Sequence, residues 1–194
     1  MMNSELVKKL REETLAPFND CLNALKEAEG DVEKAKDILK KKGLIKAEKR
    51  LSSETKAGLI EGYLHQGRVG VLVDLRAETD FVARNPDFKT LAHDLAMQIA
   101  ALSPRYIKPE DIPPEEIEKL KNLYRDELKN SGKPNEIIEK IVEGRLAKDY
   151  ESICLYCQPF IKDETKKVET IIKEAISKFG ENIELKKFVR FDLE

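Results

Sequence analysis

Between residues 4 and 42 the apolar positions fall into three sets: Leu6, Val7 and Leu10; Phe18, Cys21, Leu22 and Leu25; and Val32, Ala35, Ile38 and Leu39. Spacings of three and four put each set on one face of a helix, because an α-helix turns once every 3.6 residues. Three short amphipathic helices are therefore expected. Pro17 suits the opening turn of the second, where its missing N–H has no intrahelical partner to lose. Gly30 is expected just past the end of that helix, Asp31 as the cap of the third, and Gly43 as the residue that closes it. Such a unit, residues 1–43, lies near the floor of about 40 residues for folding alone. Residues 44–56, "LIKAEKRLSSETK", are charged and less regular, and read as a linker with scope for partial helix.

From Gly58 the period switches towards two. "GLIEGYLHQGRVGVLVDLRAE" is two β-rich runs around "HQGR", the pattern of a hairpin. Helical spacing returns from Asp87 to Leu102, with Phe88, Leu91, Leu95, Ile99 and Leu102 on one face. "SPRYIKPEDIPP" is too rich in proline for regular helix. Pro114 opens a helix reaching about Asn130, with Ile117, Leu120, Leu123, Tyr124 and Leu128 inward. "SGKP" breaks the chain, and a shorter helix is expected over Asn135 to Lys148. "ICLYCQPFI" reads as a buried or edge strand in which Pro159 limits ladder bonding. Asp163 to Phe179 reads as helix, with Val168, Ile171, Ile172, Ala175 and Ile176 in register. Gly180 ends it. "NIELKKFVRFDLE" closes the chain as a strand alternating at Ile183, Leu185, Phe188 and Val189, with a slip at Lys186 and Lys187 that suggests a bulge. The fold class is therefore α+β. Residues 57–194 form a core of several helices and a small antiparallel sheet of three or four strands.

Composition narrows the function. Charged residues make up 37% of the chain, against a typical ~25%. Lys and Glu dominate and only three glutamines occur, a bias seen in heat-adapted proteins. The net charge is −2 with the signs interspersed. No basic stripe offers a footprint for a phosphate backbone, so no nucleic acid partner is expected. No apolar run approaches the ~20 residues of a membrane span and no secretory segment opens the chain, so no membrane partner is expected and the cytoplasm is the expected location. Three cysteines, Cys21, Cys154 and Cys157, fit a reducing compartment.

Covalent chemistry finds little support. Cys154-Leu-Tyr-Cys157 has redox spacing but sits in an apolar, strand-like run, where positions i and i+3 point to opposite faces. A zinc site would want a second pair. His65 and His93 are the only histidines, and neither pairs with a nucleophile at readable spacing. "GEN" and "EGR" lack the strand–turn–helix setting of a phosphate loop. Neither a catalytic group, nor a metal, nor a cofactor is expected.

One stretch stands apart. "AETDFVARNPDF", residues 77–88, follows a strand-like run and leads into a helix. Thr79 or Asp80 could cap a short turn while Phe81 staples it to the core. Alternatively the corner protrudes and presents Phe81 as an aromatic anchor. Periodicity leaves both readings open.

"LVDLRAETDFVARN" at 72–85 closely resembles the signature of the translation elongation factor Ts family. Leu10 to Gly43 resembles that family's N-terminal module, a ubiquitin-associated-like three-helix domain. "GKPNEIIEKIVEGRLAKDY" and "QPFIKD" resemble landmarks of its core, in the short form with one core unit. There are departures. Leu15-Ala16-Pro17 stands where Gly-Ala-Gly is usual, Leu22 and Asn23 where lysines are common, and Arg76-Ala77 where Asn-Cys precedes Glu78.

The resemblance implies a guanine-nucleotide exchange factor for elongation factor Tu, without covalent chemistry. It implies that Thr79, Asp80, Phe81 and Val82 insert near the partner's magnesium and phosphate site, with Phe81 as wedge and Asp80 seating it. It adds Leu10, Arg11, Thr14, Asp20, Cys21, Arg84 and Asn85 as further partner contacts. It also implies a homodimer through core sheets. Two rival readings are a binding module built on the three-helix unit and an enzyme using Cys154 and Cys157.

Overall fold

A computed structural model of the protein describes residues 4–14, 16–129 and 131–193. Leu15, one of the departures noted above, and Asn130, the expected end of a helix, lie outside the described residues. The chain forms two compact units. The first holds the chain through Leu59, Arg76–Phe88 and Ile172–Glu184; the second holds Ile60–Leu75, Lys89–Ile171 and the chain from Leu185 onward.

The first unit begins with α1 (Ser4–Thr14), α2 (Phe18–Glu27) and α3 (Val32–Arg50). Their predicted apolar faces meet: Val7, Leu10, Cys21, Ala24, Leu25, Ala28, Ala35 and Leu39 make one buried cluster. Gly30 has φ +88°, and its N–H bonds back to the Leu25 carbonyl at 2.9 Å. Asp31 caps α3, its Oδ1 accepting the Lys34 N–H at 3.1 Å.

The reading of Gly43 as a helix end is corrected: α3 runs through it to Arg50. Residues 44–50 contain strong helix formers and nothing that breaks a helix. Gly43 instead serves close packing. A Cβ built there would lie 3.2 Å from the Ser177 Cβ of α8 (Val168–Phe179). We expect Gly43→Val to lower stability by about 1–3 kcal/mol through overpacking, read as a fall in the urea midpoint.

β1 (Ala57–His65) and β2 (Val69–Ala77) form the expected hairpin. Gln66 and Gly67 take positive φ, and the Arg68 N–H closes the turn onto the His65 carbonyl at 2.9 Å. The three-stranded sheet has the order β1-β2-β5, with β5 spanning Ile183–Asp192. Along β2, Val71, Val73, Leu75 and Ala77 are buried on alternate positions, as a strand with one covered face requires. On β5 the slip appears where expected, since Lys186 and Lys187 are consecutive exposed residues. α4 (Asp80–Ala83) and α5 (Pro86–Leu102) follow β2.

The second unit includes α6 (Pro114–Leu128) and α7 (Asn135–Ile153). They pack through Leu128, Val142 and Leu146. Across this pair the Tyr124 hydroxyl donates to Asp149 Oδ2 at 2.6 Å. That bond, followed by desolvation, holds the phenol above its ordinary range. The folded value exceeds the unfolded value of about 10. The contribution to stability is therefore whole below pH ~10 and disappears as pH rises through the folded value. Tyr124→Phe should have a lower urea midpoint at neutral pH and a shallower decline above pH 10 than wild type.

Two further expectations are corrected. "ICLYCQPFI" is not one strand. α7 continues past Lys148 to Ile153, the Cys154 N–H still bonding Tyr150 O at 2.8 Å. Cys154 then bridges Tyr106, and Leu155–Cys157 is a single 3₁₀ turn. Only Pro159–Phe160 (β3) pairs as strand, antiparallel with Asp163–Lys167 (β4). Residues 163–167 are accordingly strand and not the start of a helix, which begins at Val168. Buried Gln98 of α5 decides this locally. Its amide donates to Gln158 Oε1 and Pro159 O at 3.1 Å, and its Oε1 accepts the Ile161 N–H at 2.8 Å. A long-range polar partner outweighs local propensity there.

Candidate functional site

The site is the corner between β2 and α5, within the first unit. Thr79 is extended, at φ −129° and ψ 156°, the conformation a helix N-cap needs. One helical turn follows, with the Ala83 N–H bonding Thr79 O at 3.2 Å and the Arg84 N–H bonding Asp80 O at 3.0 Å. Asn85 Oδ1 then accepts the Asp87 N–H at 2.9 Å, starting α5 behind Pro86. In this turn Val82 and Ala83 point inward and are buried, while Phe81 is 84% exposed. The two readings left open by periodicity are thereby separated: the staple is Val82, and the ring of Phe81 stands in solvent. Exposing so large an apolar ring forgoes about 1.5–3 kcal/mol of burial.

The ground under the corner is firm. Phe88 is fully buried and meets Phe179 edge to face at 6.2 Å between ring centroids. Lys178 pairs with Asp87 at 2.7 Å. The segment 181–182, between α8 and β5, adds a brace. Glu181 accepts both the Thr79 N–H, at 2.9 Å, and the Thr79 hydroxyl, at 2.6 Å. In return Glu78 accepts the Asn182 N–H at 2.6 Å. Buried Asn182 donates its amide to Ser53 O at 2.7 Å and to Leu51 O at 3.3 Å. Arg50 approaches Glu78 at 3.6 Å. The Thr79 hydroxyl is thus spent on Glu181 and does not cap α4. Sequence reasoning misses Glu78, Glu181 and Asn182. The "GEN" triplet draws notice only as a failed phosphate loop, and nothing in its local pattern points to residue 79.

Of the other candidate contacts, Arg11 and Arg84 are exposed and Asn85 is partly exposed. Thr14 donates to Leu10 O at 2.7 Å, and Asp20 pairs with Lys46 at 2.7 Å. Thr14 and Asp20 line a cleft of about 650 Å³ that also takes in Lys36, Lys40, Lys46 and Ser177. Leu10 and Cys21 are fully buried in the three-helix core, so in this conformation they hold the surface up and do not form it.

Cys154 is fully buried, and burial pushes its thiol up to about 12. Burial also raises the Cys157 thiol. The nucleophilic thiolate is disfavoured at both positions. His65 meets Tyr63 at 3.0 Å and His93 meets Glu61 at 3.2 Å. Among the described residues no group of three or more His, Cys, Asp or Glu could hold a metal ion, and no helix is long and apolar enough to cross a membrane.

Comparison with known proteins places relatives along nearly the whole chain. A family model described as elongation factor TS matches residues 4–194. The chain is 53% identical to elongation factor Ts of Thermosipho melanesiensis over 192 residues, covering 98% of each chain. It is 50% identical to that of Thermodesulfovibrio yellowstonii, over 99% of this chain and 96% of the relative. For Thermotoga neapolitana the identity is 51%, over 99% and 97%. Matched by the family model over residues 4–194 and about half identical to these relatives along nearly its whole length, this chain belongs to the elongation factor Ts family.

Proposed function

We propose that the protein is a guanine-nucleotide exchange factor for elongation factor Tu and acts by pressing Phe81 into the partner's G domain. The observation that carries this reading is the 84% exposure of Phe81 on a corner whose neighbours Val82, Ala83 and Phe88 are buried. GDP is held on a GTPase largely by its phosphate loop and by Mg²⁺ bridging protein and phosphate oxygens. A wedge that spreads the elements around the metal weakens both ligands. No bond is made or broken, so no acid, base or nucleophile is required. Phe81 acts only insofar as it fits the spread G domain better than the nucleotide-bound one. Linkage is reciprocal: the factor loosens GDP, and GDP loosens the factor by the same free energy.

In this proposal Thr79 and Asp80 seat the wedge and Val82 anchors it. Arg84 and Asn85 flank it, and Arg11, Thr14 and Asp20 offer contacts from the three-helix module. Leu10 and Cys21 support that module from inside. The functional division is a ubiquitin-associated-like module over 1–43, a linker over 44–56 that is helical through Arg50, and a core over 57–194. A homodimer through core sheets belongs to the same proposal. It is favoured by Ile60, Leu64, Leu72, Val189 and Phe191, all exposed apolar residues on β1, β2 and β5. The compartment proposed is the cytoplasm.

The test is release of fluorescent GDP from elongation factor Tu, followed with and without the protein. Acceleration at substoichiometric protein supports exchange. No acceleration, with binding of some other protein through the three-helix module, would favour a plain binding module. A Cys154→Ser, Cys157→Ser protein should accelerate release as wild type does; loss of activity there would favour thiol chemistry.

A further inference from the structure

We propose that Glu181 is a positioning residue for the exchange wedge, and that Glu181 with Asn182 couples the wedge to the end of α3. The inference rests on the exchange reading given above and extends it to residues outside the corner motif. The arrangement is reciprocal. Consecutive residues Glu78 and Thr79 meet consecutive residues Asn182 and Glu181, and on each side a carboxylate accepts the other segment's backbone N–H. Glu181 takes two bonds from the one residue that sets the entry angle of α4, the Thr79 N–H and the Thr79 hydroxyl. Charge-assisted bonds of this kind are short and directional. Two of them from one carboxylate fix both the position and the rotation of the peptide two residues ahead of the Phe81 ring.

The same two-residue segment reaches a third place. The Asn182 side-chain amide holds the carbonyls of Leu51 and Ser53, just past the end of α3. The segment therefore joins the end of α3 to the wedge corner through one buried side chain. Its Oδ1 is buried with no partner among the described residues. Such an orphaned acceptor has a cost, and here it accompanies a geometry set by the two amide bonds and the backbone bond.

A four-residue helix carries too little packing of its own to aim an aromatic ring. Unbraced, the corner would sample several directions, and ordering it on the partner would cost conformational entropy at the moment of binding. Braced, that cost is met during folding.

The chain contains no tryptophan, so Phe81→Trp places a single fluorescent reporter at the wedge. In that background, Glu181→Ala should lower the fluorescence anisotropy of the introduced indole in the free protein. In the otherwise wild-type chain, Glu181→Ala should slow maximal GDP release about tenfold. Glu181→Gln retains one acceptor for the two donors and should fall between Glu181→Ala and wild type. Melting temperatures should stay close to wild type throughout. Phe81→Ala is measured alongside. If Phe81→Ala is slow and Glu181→Ala is as fast as wild type, the positioning role is wrong and the wedge stands. If Phe81→Ala is itself as fast as wild type, the wedge reading fails and takes this inference with it. A slow Glu181→Ala with a lowered melting temperature and unchanged indole anisotropy would make Glu181 a merely structural residue and overturn the proposal.

Discussion

Phe81→Ala is expected to slow GDP release promoted by the protein by roughly 30- to 1,000-fold while leaving its fold untouched. The ring is 84% exposed, so its removal takes away almost no internal packing, and the melting curve should superimpose on that of wild type. The loss appears only in the complex. Aromatic anchors at the centre of an interface typically cost about 2–4 kcal/mol when truncated, which is the stated range of rate or affinity. Asp80→Ala should do less, because it removes a contact that seats the corner and leaves the ring in place. Wild-type exchange by a correctly folded Phe81→Ala protein would sink the wedge. A simultaneous collapse of the melting temperature would equally contradict the exposure of the ring.

The second large effect concerns the outer face of the sheet. Leu64 is 78% exposed and Phe191 69%. Beside them Leu72 lies over Gly62 and Leu64 over Gly70, so close that a Cβ at either glycine would fall 3.2 or 3.1 Å from the leucine methyl. The glycines give the leucines room to lie flat across the neighbouring strand, which makes a smooth apolar surface. An exposed apolar face of this kind is a recognition surface or a liability. Closed two-fold pairing is the commonest way to cover one. Leu64→Glu combined with Phe191→Glu would put two carboxylates into each copy of such an interface, and a buried unpaired charge costs several kcal/mol. Sedimentation should show wild type as a dimer at micromolar concentration and the double variant as a monomer, a weakening of at least about 1,000-fold. A monomeric wild type at that concentration would end the dimer proposal.

The brace and the exposed apolar sheet face differ in how far they are written in the local sequence. The alternation of Ile60, Leu64 and Leu72 with inward residues is written in the strands themselves, although only the fold reveals that they stay exposed among the described residues. The brace has no local signature. Glu181 and Asn182 belong to an ordinary helix-ending triplet, and their partners Thr79 and Glu78 lie about a hundred positions earlier.

The chain's own pattern determined the three amphipathic helices of the first unit, the hairpin at residues 57–77, the α+β class and the motif that places it in its family. Each of these depends on neighbours within a few residues, where 3.6-fold or twofold periodicity and capping chemistry are strong. The errors fell where a distant partner overrode that local preference. Residues 154–167 follow Gln98 and Tyr106 in place of their own propensity, whereas Gly43 lies inside a helix that the strong helix formers of residues 44–50 carry on, the glycine serving the close approach of Ser177 and not a helix end. The direction of Phe81 was decided by the tertiary structure alone. In a single helical turn, adjacent Phe81 and Val82 are equally suited to face inward. Which of them does so depends on the angle at which Thr79 enters, and Glu181 holds that angle from the far end of the sequence.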